Sequence, residues 1–461
     1  MGDLRSILET ASSRAPKYTA SLGLSREVVL EISRQKNEPD WMLAKRLDGF
    51  ERFMATGMPA WGPSLANLDL SAITFFVRPE AQESRSWDDV PSSIRATFEG
   101  LGIPEAEREA LSGVGAQYDS DVVYHNLKAE WSALGVVFLN MDEALHKHED
   151  LVREYFMTQC VPVYDHPLAM LHAAVWSGGT FIYVPPGVTV DIPMQAYFRM
   201  NAERGGQFEH TLIVADEGSE VHYIEGCSAP KYSTNAMHAG CVEILVKRGA
   251  KVKYSSIENW SKNTFNLNTK RALVDEDGTI EWLNGNLGSG TTMLYPMSVL
   301  RGARARSSYL GVAFAGAGQV QDTGAKAALV APDTSATIRA KSLSMGGGVS
   351  TYRGLVKVTP AAKRSTVSVI CDALMLDDES VSNTIPVMSV DRADALVSHE
   401  ASVGRIGERE LGYLMARGLA PDAARRLIVG GFLEPIVADL PLEYAVELEK
   451  LIDLEMEGAL A

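Results

Sequence analysis

Three observations predict a mainly β protein, a β-solenoid with helical segments at both ends. From about residue 160, short β-branched runs (TLIVA, EVHYIE, CVEILV, KVKYSSIE, TIEWL, STVSVI) alternate with small polar turns. The turn centres Gly187, Gly218, Gly249, Gly278, Gly302, Asp333, Ala362 and Ala393 stand 24 to 31 residues apart. Helix signals cluster before and after this stretch and are missing within it. A spacing of about thirty residues without helices is too short for βαβ units and too regular for a Greek-key sandwich. It fits rungs of two or three strands, each stacked on the last. No amino-acid motif repeats, only the strand–turn rhythm, and a sandwich of hairpins is the alternative.

The chain divides into a helical and mixed region over 1–159, the β core over 160–404 and a C-terminal helical domain over 405–461. In the first region Ser25 is placed to cap a helix carrying Val28, Val29 and Ile32. Asn37-Glu38-Pro39-Asp40 breaks it and starts another with Leu43, Leu47, Phe50 and Met54 on one face. Pro104 opens a short helix, PEAEREAL. After Gly404, ERELGYLMARGL stops at Gly418, Pro421 begins a second helix, and Pro441 begins a third with Leu448, Leu451, Ile452 and Met456 as its apolar stripe.

With 461 residues, 46% of them apolar, the chain can bury a substantial core. Its 43 basic and 59 acidic residues leave a net charge of −16, which repels phosphate backbones and anionic lipid heads. Nucleic acid and membrane are therefore not expected partners, and solubility alone accounts for the charge. The start, MGDLRSILETASSRAPKY, carries no apolar signal core, and no run approaches the roughly 18 apolar residues of a membrane span. The four cysteines, Cys160, Cys227, Cys241 and Cys371, are scattered without a CxxC pair. That argues against a disulfide framework or a zinc knuckle and for a reducing, cytoplasmic setting with free thiols.

Two columns of residues could carry chemistry. Cys371 follows the strand STVSVI, and His399-Glu400 ends the next strand, DALVS. Cys371 and Glu400 are 29 positions apart, one period, so they are expected on successive rungs about 4.8 Å apart. A thiolate, an imidazole and a carboxylate would then share a site suited to iron or zinc. On spacing alone the simpler reading is favoured, a small core cysteine and a polar turn. The second column holds Arg199 and Asn201 in YFRMN, Cys227 in YIEGCSAP, and Glu258 and Trp260 in SIENW. Spacings of 28 and 31 would put a cation, a thiol and a carboxylate in one row, where the guanidinium lowers the thiol pKa. The alternative is an interior polar ladder that satisfies itself.

Other candidates fall away. His146 and His148 are two apart on a helix and do not face together. The glycines Gly346–Gly348 lack the Lys and Ser/Thr of a P-loop, and GxGxxG is absent, so any ATP must come with a partner. Asp377 and Asp378, adjacent on a strand, point to opposite faces and do not make the acid pair of a polysaccharide hydrolase.

The segments NEPDWMLAKRL, GIPEAEREAL, GTFIYVPPGV, YFRMNAERGGQFEHTLIVADEGS, YIEGCSAPKY, STYRGLVKV, CDALMLDD, HEASVGRIGERELGYLMARGL and LPLEYAVELEKLIDLEMEG resemble the SufB/SufD family of iron–sulphur cluster assembly scaffolds of the SUF system. The resemblance runs from about residue 25 to the C-terminus. It implies a right-handed parallel β-helix and a scaffold rather than an enzyme. Such a scaffold takes persulfide sulphur from a cysteine desulfurase, meets iron and builds a nascent iron–sulphur cluster. Implied partners are the ATPase SufC, docked on the C-terminal helices, and SufD or a second SufB copy across a β-helix dimer. ATP would be used only through SufC, and a need for reduced flavin stays open.

By the same resemblance Cys227 is the sulphur-accepting thiol, and Arg199, Asn201, Trp260 and Lys270 line the interior route. Cys371 is the cluster-assembly thiol, with Glu400 and His399 as non-thiol ligands at the dimer interface. Two departures stand out. Glu258 replaces the family's usual Gln, putting a possible charge into the route, and the Cys-rich N-terminal motif of some members is missing. SufD-like chains read HGAT where this one reads HEAS and lack the cysteine of CDAL, which places the chain on the SufB side. A SufD-like partner subunit without its own cluster site is the alternative.

Overall fold

The computed structural model describes residues 16–80 and 111–438, together with positions 84, 86, 87, 90, 94, 95, 452, 453, 455 and 456. Ser25 caps the helix Arg26–Lys36, its hydroxyl accepting from the Val28 N–H, and Val28, Val29 and Ile32 are buried. Asn37 ends this helix in the left-handed region, with φ of 51°. The next helix, Asp40–Thr56, fully buries Met42, Arg46, Gly49 and Phe53. Of the expected Leu43, Leu47, Phe50 and Met54, Leu47 and Phe50 are half-buried against the same core and Met54 is exposed. The helix Pro167–Val175 crosses at Gly49, where a Cβ would come within 2.7 Å of the Ala173 Cβ. Arg46 enters the core because Glu38 and the carbonyls of Ala174 and Trp176 take its guanidinium. An apolar stripe read from sequence cannot anticipate a buried ion pair. The helix expected at Pro104 and most of the one expected from Pro441 lie outside the described residues, though Ile452 and Met456 are buried.

From Thr180 to Arg405 the chain winds as a β-solenoid of about eight turns. Eight parallel strands, from Thr189–Arg199 to Leu396–Arg405, form one wall. The hairpin Gly113–Tyr118 and Asp121–Leu127 extends that wall at its N-terminal edge. Strands from Val137–Asn140 to Val381–Val390 form the second wall. Left-handed residues at Gly187, Gly218, Gly249, Asp277, Arg304, Asp333 and Arg364 turn the chain close to the expected centres. The period is not constant. Paired residues are 27 positions apart between Thr279 and Arg306 but 31 between Ser335 and Thr366.

Strand alternation sorts side chains between the interior and two outer faces. Val221, Tyr223, Val252, Tyr254 and Trp282 belong to the interior core. Outside the second wall, Leu212, Val214 and Leu245 pack under Met42, Ala169, Ala173 and Trp176. Outside the first wall, Ile224, Ile257, Leu283, Val312 and Leu343 are covered by Val429 and Leu433 of the helix Pro421–Val437, with Ile452 and Met456. Among the described residues no helix is long and apolar enough to cross a membrane.

Candidate functional site

The strand register links the two cysteines of interest through the interior. Cys371 continues a column of Glu225, Ser256, Asn284, Gly311 and Ala340. Cys227 starts the neighbouring inward column, followed by Glu258, Asn286, Ala313, Ser342 and Ala373. Where most solenoid interiors stack branched apolar residues, this strip is polar or small from one thiol to the other. Five rungs separate them, about 24 Å at 4.8 Å per rung.

Around Cys227 the interior holds a paired charge network. Lys270 Nζ donates to Glu258 Oε1 at 2.7 Å and Ser256 Oγ at 3.1 Å, and lies 3.7 Å from Glu225 Oε1. Glu258 also accepts from Asn266 Nδ2 at 2.5 Å and Asn268 Nδ2 at 3.1 Å. His238 Nε2 meets Glu209 Oε1 at 2.5 Å, and the His238 ring packs on Trp260 with centroids 4.2 Å apart. Burial opposes charge on Glu258, Lys270 and His238. Lys270 and His238 nevertheless hold Glu258 below the usual carboxylate range, and Glu258 with Glu225 holds Lys270 up. The charge that replaces the expected Gln is thus matched by a buried ammonium.

Cys227 is 1% exposed, with its Sγ 4.0 Å from Glu225 Oε1. Burial, and then the nearby carboxylates led by Glu225, push the thiol well above its ordinary pKa. That corrects the expectation of a thiol acidified by Arg199. Arg199 pairs with Ser228, not Cys227, so it faces the opposite way and donates to Ser228 Oγ at 3.0 Å beneath the N-terminal layer. The spacing of 28 was one short of the local register of 29, and a one-residue slip turns a side chain to the other face. Asn201 is also outside the Cys227 network. Its backbone N–H donates to Asp119 Oδ1 at 2.6 Å and its carbonyl accepts from Tyr232 at 2.5 Å.

Cys371 points inward, 4% exposed, in a strand Thr366–Met375 whose Val367 and Val369 point the same way. Its Sγ lies 3.7 Å from His399 Nε2 on the last rung. It also borders a cavity of about 20 Å³ lined by Tyr309, Ala313, Thr323, Tyr352 and Asn383. Burial pushes the thiol up to about 12, and a hydrogen bond with the Tyr352 hydroxyl works the other way. Glu400 is corrected in the same manner as Arg199. The register sets Cys371 opposite Ala401 and Glu400 opposite Ile370, so Glu400 is exposed on the outer face while His399 faces in with the thiol.

Glu225, Glu209, His238, Asn266 and Asn268 were not among the expected residues. Glu225 was legible, because it sits two before Cys227 in YIEGC and alternation puts both on one face. The others reach the site from the opposite wall, and no spacing along the chain reports that contact.

Burial, ahead of the easing by Lys270, raises the Glu225 carboxyl to about 7. A folded-state pKa above the unfolded value stabilises the fold at low pH, and the stability is lost as pH rises from about 4.5 through 7. Glu225→Gln should therefore flatten the fall in thermal stability between pH 5 and 8. An unchanged pH profile would contradict this.

Residues 198–432 match the SufBD core domain of SUF-system FeS cluster assembly. An iron-sulfur cluster assembly SufBD family protein of Staphylococcus epidermidis is 50% identical over 443 residues, covering 96% of this chain and 95% of the relative. Proteins of the same description from Staphylococcus saprophyticus and Staphylococcus aureus match with the same identity and coverage.

Proposed function

Because this chain belongs to the SufBD family of iron–sulphur cluster assembly proteins, we propose that it is a SufB-type scaffold that receives sulphur at Cys227 and builds a cluster at Cys371. The observation that carries this reading is the inward-facing Cys371–His399 pair at the end of a polar interior strip that begins at Cys227. A thiolate and an imidazole are ligands that iron accepts. A SufD-like subunit without its own cluster site has no need of either.

In the first step the Cys227 thiol attacks the outer sulphur of a desulfurase persulfide. Cys227 becomes the persulfide and the desulfurase cysteine leaves as a thiolate. The Cys227 proton passes to Glu225, whose pKa of about 7 suits a proton acceptor at neutral pH, and then to the leaving thiolate. No electrons are gained or lost overall. Because Cys227 is buried, docking of the donor must open a path to it. Ser256, Asn284 and Asn286 then line the way to Cys371. A reductant of the reduced-flavin class supplies the two electrons that cleave the Cys227 S–S bond, returning the Cys227 thiol and freeing the outer sulphur as hydrosulfide. That hydrosulfide and ferrous iron are the substrates at the far end, where Cys371 with His399 would hold them as the cluster forms.

The open end of the solenoid supports a second chain. The last strands, Val381–Val390 and Leu396–Arg405, each have one edge unpaired among the described residues and expose Ile385, Val387, Met388, Leu396 and Val403. Exposed apolar edge strands invite β-pairing, here with SufD or another copy of this chain beside the Cys371 site. The C-terminal helices and the turn between them expose Tyr413, Met415, Leu419 and Leu427, an apolar surface for the SufC ATPase, which supplies ATP hydrolysis.

Anaerobic incubation with a cysteine desulfurase, cysteine, ferrous iron and a reduced flavin should turn the protein brown, with acid-labile sulphide bound to the chain. Protein that stays colourless and sulphide-free would leave only the SufD-like reading.

A further inference from the structure

A separate group lies on the outer face of the second wall. His210 and Cys241 stand side by side on the parallel strands His210–Ala215 and Cys241–Val246, facing the helix Pro167–Val175. His172 comes from that helix. The ligand atoms of these three residues lie within 4.8 Å of one another, and each residue is at most 1% exposed.

Hydrogen bonding constrains the protons. His172 Nδ1 lies 3.0 Å from the Ala239 carbonyl, which can only accept, so Nδ1 carries the proton and Nε2 offers a lone pair. That Nε2 faces His210 Nδ1 at 3.0 Å. The other nitrogen, His210 Nε2, sits 3.1 Å from Glu243 Oε2 and makes no hydrogen bond. If His210 gives its single proton to His172, its own bare Nε2 is left against a carboxylate in a closed site. A cation between the two rings removes the conflict, since the His210 proton then moves to Nε2 beside Glu243. Both histidines would then have the outer contact usual for metal ligands, one to a carbonyl and one to a carboxylate. Glu243 is anchored for that role by the Met157 and Val161 N–H groups, each at 2.7 Å.

We propose that His172 Nε2, His210 Nδ1 and Cys241 Sγ bind a zinc-class divalent cation that fastens the helix Pro167–Val175 to the solenoid. Two imidazoles and a thiolate suit such an ion, and three protein donors leave a fourth position on a tetrahedral centre. Zn–N bonds of about 2.0–2.1 Å require the two nitrogens to part by a few tenths of an ångström. Binding takes up one cation and releases one proton, from Cys241, to solvent.

The test uses the full chain carrying Cys227→Ala and Cys371→Ala, so that the thiols of the sulphur route cannot contribute. Produced in cobalt medium, this protein should show thiolate-to-cobalt charge-transfer absorption at about one cobalt per chain. Produced in zinc medium, it should retain zinc against a chelator. Adding Cys241→Ser should abolish the absorption. Glu243→Gln should weaken zinc retention about 10–100-fold, and Cys160→Ala, nearby but outside the trio, should change neither. A folded parent protein without sulphur-to-cobalt absorption overturns the assignment, as does absorption that survives Cys241→Ser. If the Cys241→Ser chain does not fold, the cobalt spectrum of the parent protein still decides between the two outcomes.

Discussion

Cys371→Ala is expected to abolish cluster formation while the fold persists. The thiol is the inward sulphur beside His399 and the lining of a small cavity. Among the described residues the other three cysteines lie on other strands or loops and cannot replace it locally. Losing one buried sulphur atom from a rung otherwise held by Val367 and Val369 costs about 1 kcal/mol, well within what a solenoid of this size withstands. After anaerobic reconstitution the variant should bind no acid-labile sulphide and show an unchanged circular dichroism spectrum. His399→Ala should leave a weaker, less stable cluster. Cys160→Ala should behave like the unaltered chain.

Lys270→Met is expected to have the largest effect on stability. The ammonium is 2% exposed and pairs with Glu258 while facing Glu225, so its removal leaves a buried carboxylate without its cation. Breaking one side of a buried pair costs about 3–5 kcal/mol. Adding Glu258→Gln, which removes the unpaired charge, should recover much of that loss, since an amide can still meet Asn266 and Asn268. Denaturant unfolding reads both effects. A single variant within about 1 kcal/mol of the unaltered chain would show that the ion pair contributes little.

The solenoid was legible because β-branched runs and turn residues report local backbone directly, and the β-branched runs from TLIVA to STVSVI all lie on strands. The site was legible where the period happened to be right. Cys227 and Glu258 are 31 apart in sequence and are true register partners. It failed by one residue at Arg199, where a bulge between Val221 and Tyr223 shortens the offset, and at Glu400, where the local offset is 30. In a helix one residue rotates a side chain by about a quarter of a turn, but in a strand it reverses the face. A mean period therefore finds the neighbouring rung without deciding what points into it. Contacts across the interior, such as Glu258 with Asn266, Asn268 and Lys270, join residues only 8, 10 and 12 apart, separations that follow no period. In the His172–His210–Cys241 group His210 and Cys241 are one period apart and register partners, but His172 comes from a helix outside the repeat and no period reports it.

The transfer of sulphur between the two thiols is measured most directly by labelling. The chain is loaded by a desulfurase with radioactive sulphur from cysteine, freed of the enzyme and given ferrous iron and a reduced flavin without oxygen, the flavin supplying the two electrons that turn persulfide sulphur into sulphide. In the unaltered protein the label should leave Cys227 and appear as cluster sulphide, whereas in Cys371→Ala it should stay on Cys227 or leave as free sulphide and none should appear in a cluster. Label that becomes cluster sulphide equally well in both proteins would contradict a route through the solenoid interior to Cys371.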